Sequence, residues 1–129
     1  MVLDILIADP AFGPASREAL RAAYQAGPVL ACDVVWAELR AHFESDAAFA
    51  EAAQLLGIAF DPIGPEAAAM AGALWRSARS ARAPRTRVVP DYLIGAHAHL
   101  QADALLTRDE RFYRTGFKGL KVVDPTGVR

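Results

Sequence analysis

The chain has 129 residues and 53 % hydrophobic residues, enough for one domain with a core of its own, so we expect a single domain over residues 1–129. No run of about 18 apolar residues occurs, and no basic segment precedes an apolar stretch, which argues against a membrane span and a signal peptide. The single cysteine excludes an internal disulfide, so nothing indicates an oxidising compartment and we expect the protein to be cytoplasmic. Cys32 lies in an apolar stretch, so we expect its side chain to be buried.

The net charge of −1 hides an asymmetry between the two halves of the chain. Residues 1–66 carry ten acids against three arginines, whereas residues 67–129 carry eleven basic groups against five acids. A basic half indicates an anionic partner. The alternative is the uneven scatter of charge that occurs in many small proteins.

The first half of the chain predicts helices separated by short apolar strands. Ser16 can cap a helix that runs to about Ala26, with Gly27 as its stop signal. The apolar run 28–32 then predicts a buried strand. Next we expect a helix from Val34 to about Glu44 capped by Asp33, a helix capped by Asp46 that ends at Gly57, and a strand over 58–60.

The second half continues the alternation. Pro65 suits the first turn of a long helix that runs to about Arg82, before a loop marked by Pro84 and Pro90. We then expect a helix from Asp91 to about Gln101, a strand over 104–106, a helix from Asp109 to about Arg114, and a strand over 120–123. This alternation predicts an α/β fold with a mainly parallel sheet covered on both faces, and such sheets gather their functional residues at the carboxyl ends of the strands.

Among the acids placed by that positional rule, we select three as candidate site residues. Glu38 lies on the helix after the strand at 28–32, Asp91 is in the first turn of its helix, and Asp109 comes three residues after the strand at 104–106. Carboxylates that converge on one rim would suit Mg²⁺ or Mn²⁺, which prefer oxygen ligands. A metal held there could activate water and neutralise a phosphodiester.

Each acid also has a purely structural interpretation. Asp91 and Asp109 could cap their helices and interact with the positive end of the helix dipole. Glu38 lies in an apolar segment, where an unpaired carboxylate would be costly, so its alternative is an ion pair with Arg40 or a distant arginine. His97 and His99 are two residues apart on a predicted helix and point to different sides, so we expect no histidine metal site.

The segments that carry these acids resemble the PIN-domain family. Val34–Leu39 is similar to the segment of the second acid, Leu105–Tyr113 to that of the fourth, and Gly119–Pro125 to the last strand. Pro90–Ala98 resembles the third-acid helix in its VapC toxin form. The resemblance implies a PIN-like three-layer α/β/α sandwich and a Mg²⁺- or Mn²⁺-dependent endoribonuclease with Glu38, Asp91 and Asp109 as catalytic and metal-binding acids. It also implies a VapB-like antitoxin partner and a homodimer.

The resemblance departs from the family at the N-terminus. PIN domains open with a strand that ends in the first metal-binding acid, whereas residues 2–10 match the helix that follows it, so the first strand is missing or truncated. A second alignment takes residues 1–4 as that strand and Asp4 as its acid; we favour the first, because a strand of three residues would be very short. We therefore expect the natural protein to start several residues upstream, or the gene model to be shortened, which the codons before Met1 would test. The alternative function is a catalytically impaired PIN-fold protein that retains antitoxin or RNA binding.

Arginines cluster before the third acid. Arg76, Arg79 and Arg82 recur on one face of the long predicted helix, and Arg85 and Arg87 continue into the loop. Guanidinium groups bind phosphates through paired hydrogen bonds and release counterions, so these arginines are the predicted RNA-binding residues. A solvated face, or a surface for acidic groups of an antitoxin, is the alternative.

Overall fold

A computed structural model describes residues 13–80, 89–107 and 109–124. Helices alternate with short strands through these residues, as the sequence predicted. In chain order they are α1 (Gly13–Ala26), β1 (Val29–Ala31), α2 (Asp33–Arg40), α3 (Asp46–Leu56), β2 (Ile58–Phe60), α4 (Pro65–Ser80), α5 (Val89–Gln101), β3 (Leu105–Leu106), α6 (Glu110–Gly116) and β4 (Val122–Val123). No helix within the described ranges is both long and apolar enough to cross a membrane.

The strands pair in parallel, which confirms the predicted α/β class. Strand β1 pairs with β2, with Val29 opposite Ile58, and β3 pairs with β4, with Leu105 opposite Val122. Parallel strands need crossover connections, and the helices between them provide these. Where one largely parallel sheet was expected, the described strands form two separate pairs.

Two apolar clusters hold the helices against the strands. The larger one joins α4, α5, α6 and β4, and alanines at its centre allow α4 and α5 to approach closely. The smaller one joins α2 and α3, where the Trp36 ring meets Phe49 edge-on at 4.8 Å and lies 5.5 Å from Phe60 of β2. The buried residues of the larger cluster are Ala67, Ala71, Tyr92, Ala96, Tyr113, Phe117 and Val122.

One glycine sets a very close approach within the larger cluster. Gly95 lies in the middle of α5, and a Cβ atom there would fall 2.2 Å from Cε2 of Phe117. Carbon atoms in contact are normally about 3.5–4.0 Å apart, so only glycine lets α5 lie this near the Phe117 ring. Phe117 is 2 % exposed and follows α6 directly.

Several predicted helix ends are wrong, for local reasons. Helix α1 begins at Gly13, before the predicted cap Ser16, and α2 ends at Arg40 instead of near Glu44. The chain leaves α2 there because Arg40 turns back, its Nη1 donating to the carbonyl of Phe43 at 2.8 Å and its Nε donating to Asp46 at 2.7 Å.

The two predicted aspartate caps are also wrong. Helix α3 is capped by Ser45, whose Oγ accepts from the N–H of Ala48 at 3.1 Å, and Asp46 is the first helical residue. Asp33 makes no cap for α2, because its carboxylate accepts a hydrogen bond from a different segment of the chain. The predicted end of α3 at Gly57 is confirmed, with that glycine in the left-handed conformation that suits a helix terminus.

Candidate functional site

Asp91 occupies the first turn of α5. The helix begins at Val89, so Asp91 is its third residue and not its cap, and the side chain is partly buried. The neighbouring Tyr92 ring meets Phe112 of α6 edge-on at 5.4 Å. This contact joins the start of α5 to α6, whose first residue follows Asp109.

Asp109 lies beyond the carboxyl end of β3. The N–H of Thr107 donates to the carbonyl of Val123 at 3.0 Å, which continues the β3–β4 pairing by one residue. Thr107 Oγ1 then accepts from the N–H of Asp109 at 3.1 Å. The Asp109 side chain is partly buried and makes no capping hydrogen bond to α6, although it stands at the position before that helix.

A further carboxylate, which the sequence analysis did not select, stands beside this edge. Asp124 follows β4 directly and is 8 % exposed. If the β3–β4 register is continued by one residue, Asp124 stands opposite Thr107. The sequence signal for it was available, since an acid directly after a strand satisfies the same positional rule that selected Asp109.

Glu38 is exposed, which corrects the expectation that it lies in apolar surroundings. Arg40, its proposed partner in an ion pair, instead bonds to Asp46 and Phe43. Glu38 belongs to α2, and α2 packs beside α5, the helix that carries Asp91.

The described residues contain no group of three histidine, cysteine or acidic side chains that could hold one metal ion. Asp4, the metal-binding acid of the second N-terminal alignment, lies outside them. Mg²⁺ is commonly held in proteins by one or two carboxylates, with waters and substrate phosphates completing its shell. As oxygen donors, partly buried Asp91 and Asp109 suit that chemistry.

A polar network links α5 to the segment after β2, and sequence reasoning missed it. His97 is 5 % exposed, and its Nε2 lies 2.7 Å from Oδ2 of Asp61, within hydrogen-bonding distance. The same oxygen accepts from Nε2 of Gln101 at 3.2 Å. Asp61 directly follows a strand, as the positional rule requires, but an Asp-Pro pair at a strand end is also typical of a turn, so the sequence does not mark Asp61 as a site residue.

The basic face is only partly described. Arg76 and Arg79 are exposed on α4, and the Arg79 guanidinium carbon lies 4.3 Å from the centre of the Trp75 ring. A guanidinium on an indole face is a cation–π contact that holds the charge in place. Arg82, Arg85 and Arg87 lie outside the described residues.

Cys32 is 2 % exposed, which confirms its predicted burial. Burial raises the pKa of its thiol; hydrogen bonds from the backbone of Val35 and Val34 lower it in part, and the charge of Asp33 raises it further. Burial also raises the pKa of Tyr24, on α1. The Cys32 thiol therefore lacks the thiolate character of a nucleophile.

Comparison with known protein families gives one assignment. A family model, that of the PIN domain, matches residues 2–118. A search of curated proteins gave no match. The family match confirms the α/β/α fold that the motifs implied.

Proposed function

The chain belongs to the PIN-domain family, and from this premise we propose that it is a metal-dependent endoribonuclease that acts as the toxin of a toxin–antitoxin pair. PIN domains are generally nucleases and typically use divalent metal ions, so a nuclease is the function that family membership indicates. The ribonuclease activity of this chain, its metal, its RNA substrate and its antitoxin are the parts that we propose.

The observation that carries the proposal is the pair of partly buried acids on adjoining elements. Asp91 lies in the first turn of α5, and Asp109 lies beyond the end of β3. The contact between the Tyr92 and Phe112 rings packs the start of α5 against α6, the helix that follows Asp109. We propose that these two carboxylates hold Mg²⁺ or Mn²⁺ together with exposed Glu38, and together with Asp4 if the second alignment of the N-terminus holds. The metal would supply Lewis-acid activation of water and of the phosphodiester when bound.

Residues of the chain would bind and orient the RNA. Exposed Arg76 and Arg79 offer guanidinium groups on α4, and Arg82, Arg85 and Arg87 continue the series in sequence toward Asp91. Arginine pairs two N–H groups with two phosphate oxygens, so it fixes the direction of a backbone as well as its charge. The basic second half of the chain supports this assignment.

The toxin role rests on the resemblance of Pro90–Ala98 to the VapC form of the third-acid helix. We propose a VapB-like antitoxin as the protein partner and a homodimer as the assembly. Growth arrest on induction of this chain, relieved by co-expression of the adjacent gene, would support the role. Unchanged growth at a demonstrated level of soluble protein would contradict it.

Cleavage of a structured RNA in Mg²⁺ tests the enzymatic part. We expect EDTA to abolish cleavage and Asp91→Asn to lower it by about 10²-fold or more, the effect of removing a group that stabilises transition-state charge. Asp103→Asn is the matched control, since Asp103 is an exposed acid just beyond the other end of α5 and undergoes the same change of charge. Full activity of Asp91→Asn would refute the assigned role of Asp91.

The second candidate is a PIN-fold protein that binds antitoxin or RNA without catalysis. The observation in its favour is that, among the residues described, Glu38 is exposed and no three candidate ligands are grouped around one position. It predicts RNA binding that is unaffected by EDTA, together with no measurable Mn²⁺ binding. Mn²⁺ binding that Asp91→Asn abolishes would contradict it.

A further inference from the structure

We propose that the loop of residues 61–64 is a positioning element that holds helices α2 and α5, the carriers of Glu38 and Asp91, in a fixed relation to each other. The inference rests on the proposed function, because it gives these two acids their role. It concerns residues that no sequence motif selected. The argument starts from how the loop is attached on each of its sides.

The loop is anchored first to the sheet. It follows β2 directly, and the N–H of Asp61 donates to the carbonyl of Ala31 at 2.9 Å, which extends the β1–β2 pairing by one residue. At its other end, Pro65 begins α4. The loop therefore starts from a strand end and cannot shift independently of the β1–β2 pair.

The loop is attached to α5 by side chains one helical turn apart. His97 and Asp61 are 2.7 Å apart, and Gln101 Nε2 donates to Asp61 at 3.2 Å and to the carbonyl of Pro62 at 2.9 Å. The N–H of Gly64 donates to Oε1 of Gln101 at 2.8 Å. Both N–H groups of the Gln101 side-chain amide and its oxygen therefore form hydrogen bonds with residues of this one loop.

The loop is attached to α2 from its other side. The N–H of Ile63 donates to Oδ1 of Asp33 at 2.6 Å, a short hydrogen bond to a charged acceptor. Asp33 is the first residue of α2, so its carboxylate reaches out of the helix instead of capping it. One loop thereby forms hydrogen bonds with both helices, which are neighbours in the fold.

Directional bonds suit this loop for positioning. The apolar contacts around α5 involve alanines and aromatic rings, which resist separation but specify direction weakly. A satisfied polar network in a partly buried site favours one arrangement of the elements that it joins. Asp91 precedes His97 by six residues, about 9 Å along the helix, and Glu38 follows Asp33 by five, about 7.5 Å. We expect the network to act on the two acids through the helices that carry them.

The test measures Mn²⁺ affinity and thermal stability in the same variants of the full chain. Asp61→Ala removes the acceptor of two of the four hydrogen bonds between the loop and α5. We expect it to weaken Mn²⁺ binding roughly ten-fold, the low end of the loss that follows removal of hydrogen bonds supporting a metal site. Asp61→Asn should restore affinity to near that of the unmodified protein, because both bonds end on one oxygen, Oδ2, and asparagine keeps one. Should Asp61→Ala not fold, Gln101→Met removes three of the loop bonds and decides the question in its place.

Ser45→Ala is the matched control. It removes a hydrogen bond that caps α3, away from the loop, and should lower the melting temperature without changing Mn²⁺ affinity. A folded Asp61→Ala or Gln101→Met variant with unchanged Mn²⁺ affinity would overturn the inference and leave the proposed function standing. Equal weakening by Ser45→Ala would overturn it too, since general loss of stability would then explain the effect. Absence of Mn²⁺ binding in the unmodified chain would overturn the metal site and this inference with it.

Discussion

Replacing Gly95 by alanine should destabilise the protein, although alanine is the better helix former. The added Cβ would lie 2.2 Å from Cε2, 2.4 Å from Cζ and 2.8 Å from Cδ2 of Phe117. The ring would have to retreat by more than about 1 Å to reach a normal contact distance. It is 2 % exposed, and its centre lies 6.2 Å from that of Tyr113 and 6.4 Å from that of Phe112, so little room is available.

The magnitude follows from two opposing effects. Overpacking a filled core destabilises by about 1–3 kcal/mol, and more where the clash is with backbone or an enclosed ring. Alanine recovers up to about 1 kcal/mol of helix propensity. Because the clash is with an enclosed ring, the cost lies in the upper part of that range, and we expect Gly95→Ala to lower the free energy of unfolding by about 1–2 kcal/mol net. A chain of this size should lose roughly 4 °C of melting temperature for each kcal/mol.

Gly72→Ala is the control, assayed with it by thermal and urea denaturation followed by circular dichroism. Gly72 is an exposed glycine of α4 whose added Cβ would meet nothing within 4 Å, so the same substitution should stabilise by about 0.5–1 kcal/mol. In Gly95→Ala with Phe117→Leu, the combined loss should be smaller than the sum of the single losses. Strict additivity, or a Gly95→Ala protein as stable as Gly72→Ala, would refute the steric argument.

Three further predictions test the cap, the thiol and the basic face. Ser45→Ala should lower the free energy of unfolding by about 1 kcal/mol, because the N–H of Ala48 loses its acceptor; Ser45→Asp, which restores a cap, should recover most of it. Cys32 should react with a thiol reagent only when the chain unfolds. Because burial raises the pKa of the Cys32 thiol, its contribution to stability should be constant below the thiol's ordinary pKa and should be lost as pH rises above it. If the chain binds RNA, Arg79→Ala should weaken binding and reduce the salt dependence of the affinity by about one counterion. Arg79→Lys should recover only part of the lost affinity, because an ammonium does not stack on Trp75 as a planar guanidinium does.

Each of these has a result that would contradict it. A fully stable Ser45→Ala protein would show that the cap contributes nothing. Fast labelling of Cys32 under native conditions, or a loss of stability on acidification that Cys32→Ala removes, would contradict the buried, protonated thiol. An unchanged salt dependence for Arg79→Ala would remove Arg79 from the RNA contact.

Local sequence patterns predicted the order of helices and strands and the segments that carry the acids. Proline at the start of α4, glycine after α3 and short apolar runs are signals that act within a few residues, so β2 and the α3 terminus were predicted correctly. Ser45 and Asp46 are adjacent, and both are residue types that cap helices, so the sequence did not indicate which of them would cap α3. That choice depends on the turn in which Arg40 holds residues 43–46.

Tertiary structure decided which polar groups meet and which are exposed. Asp33 bonds to a residue 30 positions away and His97 to one 36 positions away, so no local spacing indicates either pair. Glu38 has apolar neighbours in sequence, yet it faces solvent because the α2 helix turns its other side to the core. The sequence by itself determined the family and the candidate acids, through patterns that repeat within single elements. Their surroundings depend on how separate elements pack, because hydrogen bonds and steric contacts act over a few ångströms of space, whatever the distance along the chain.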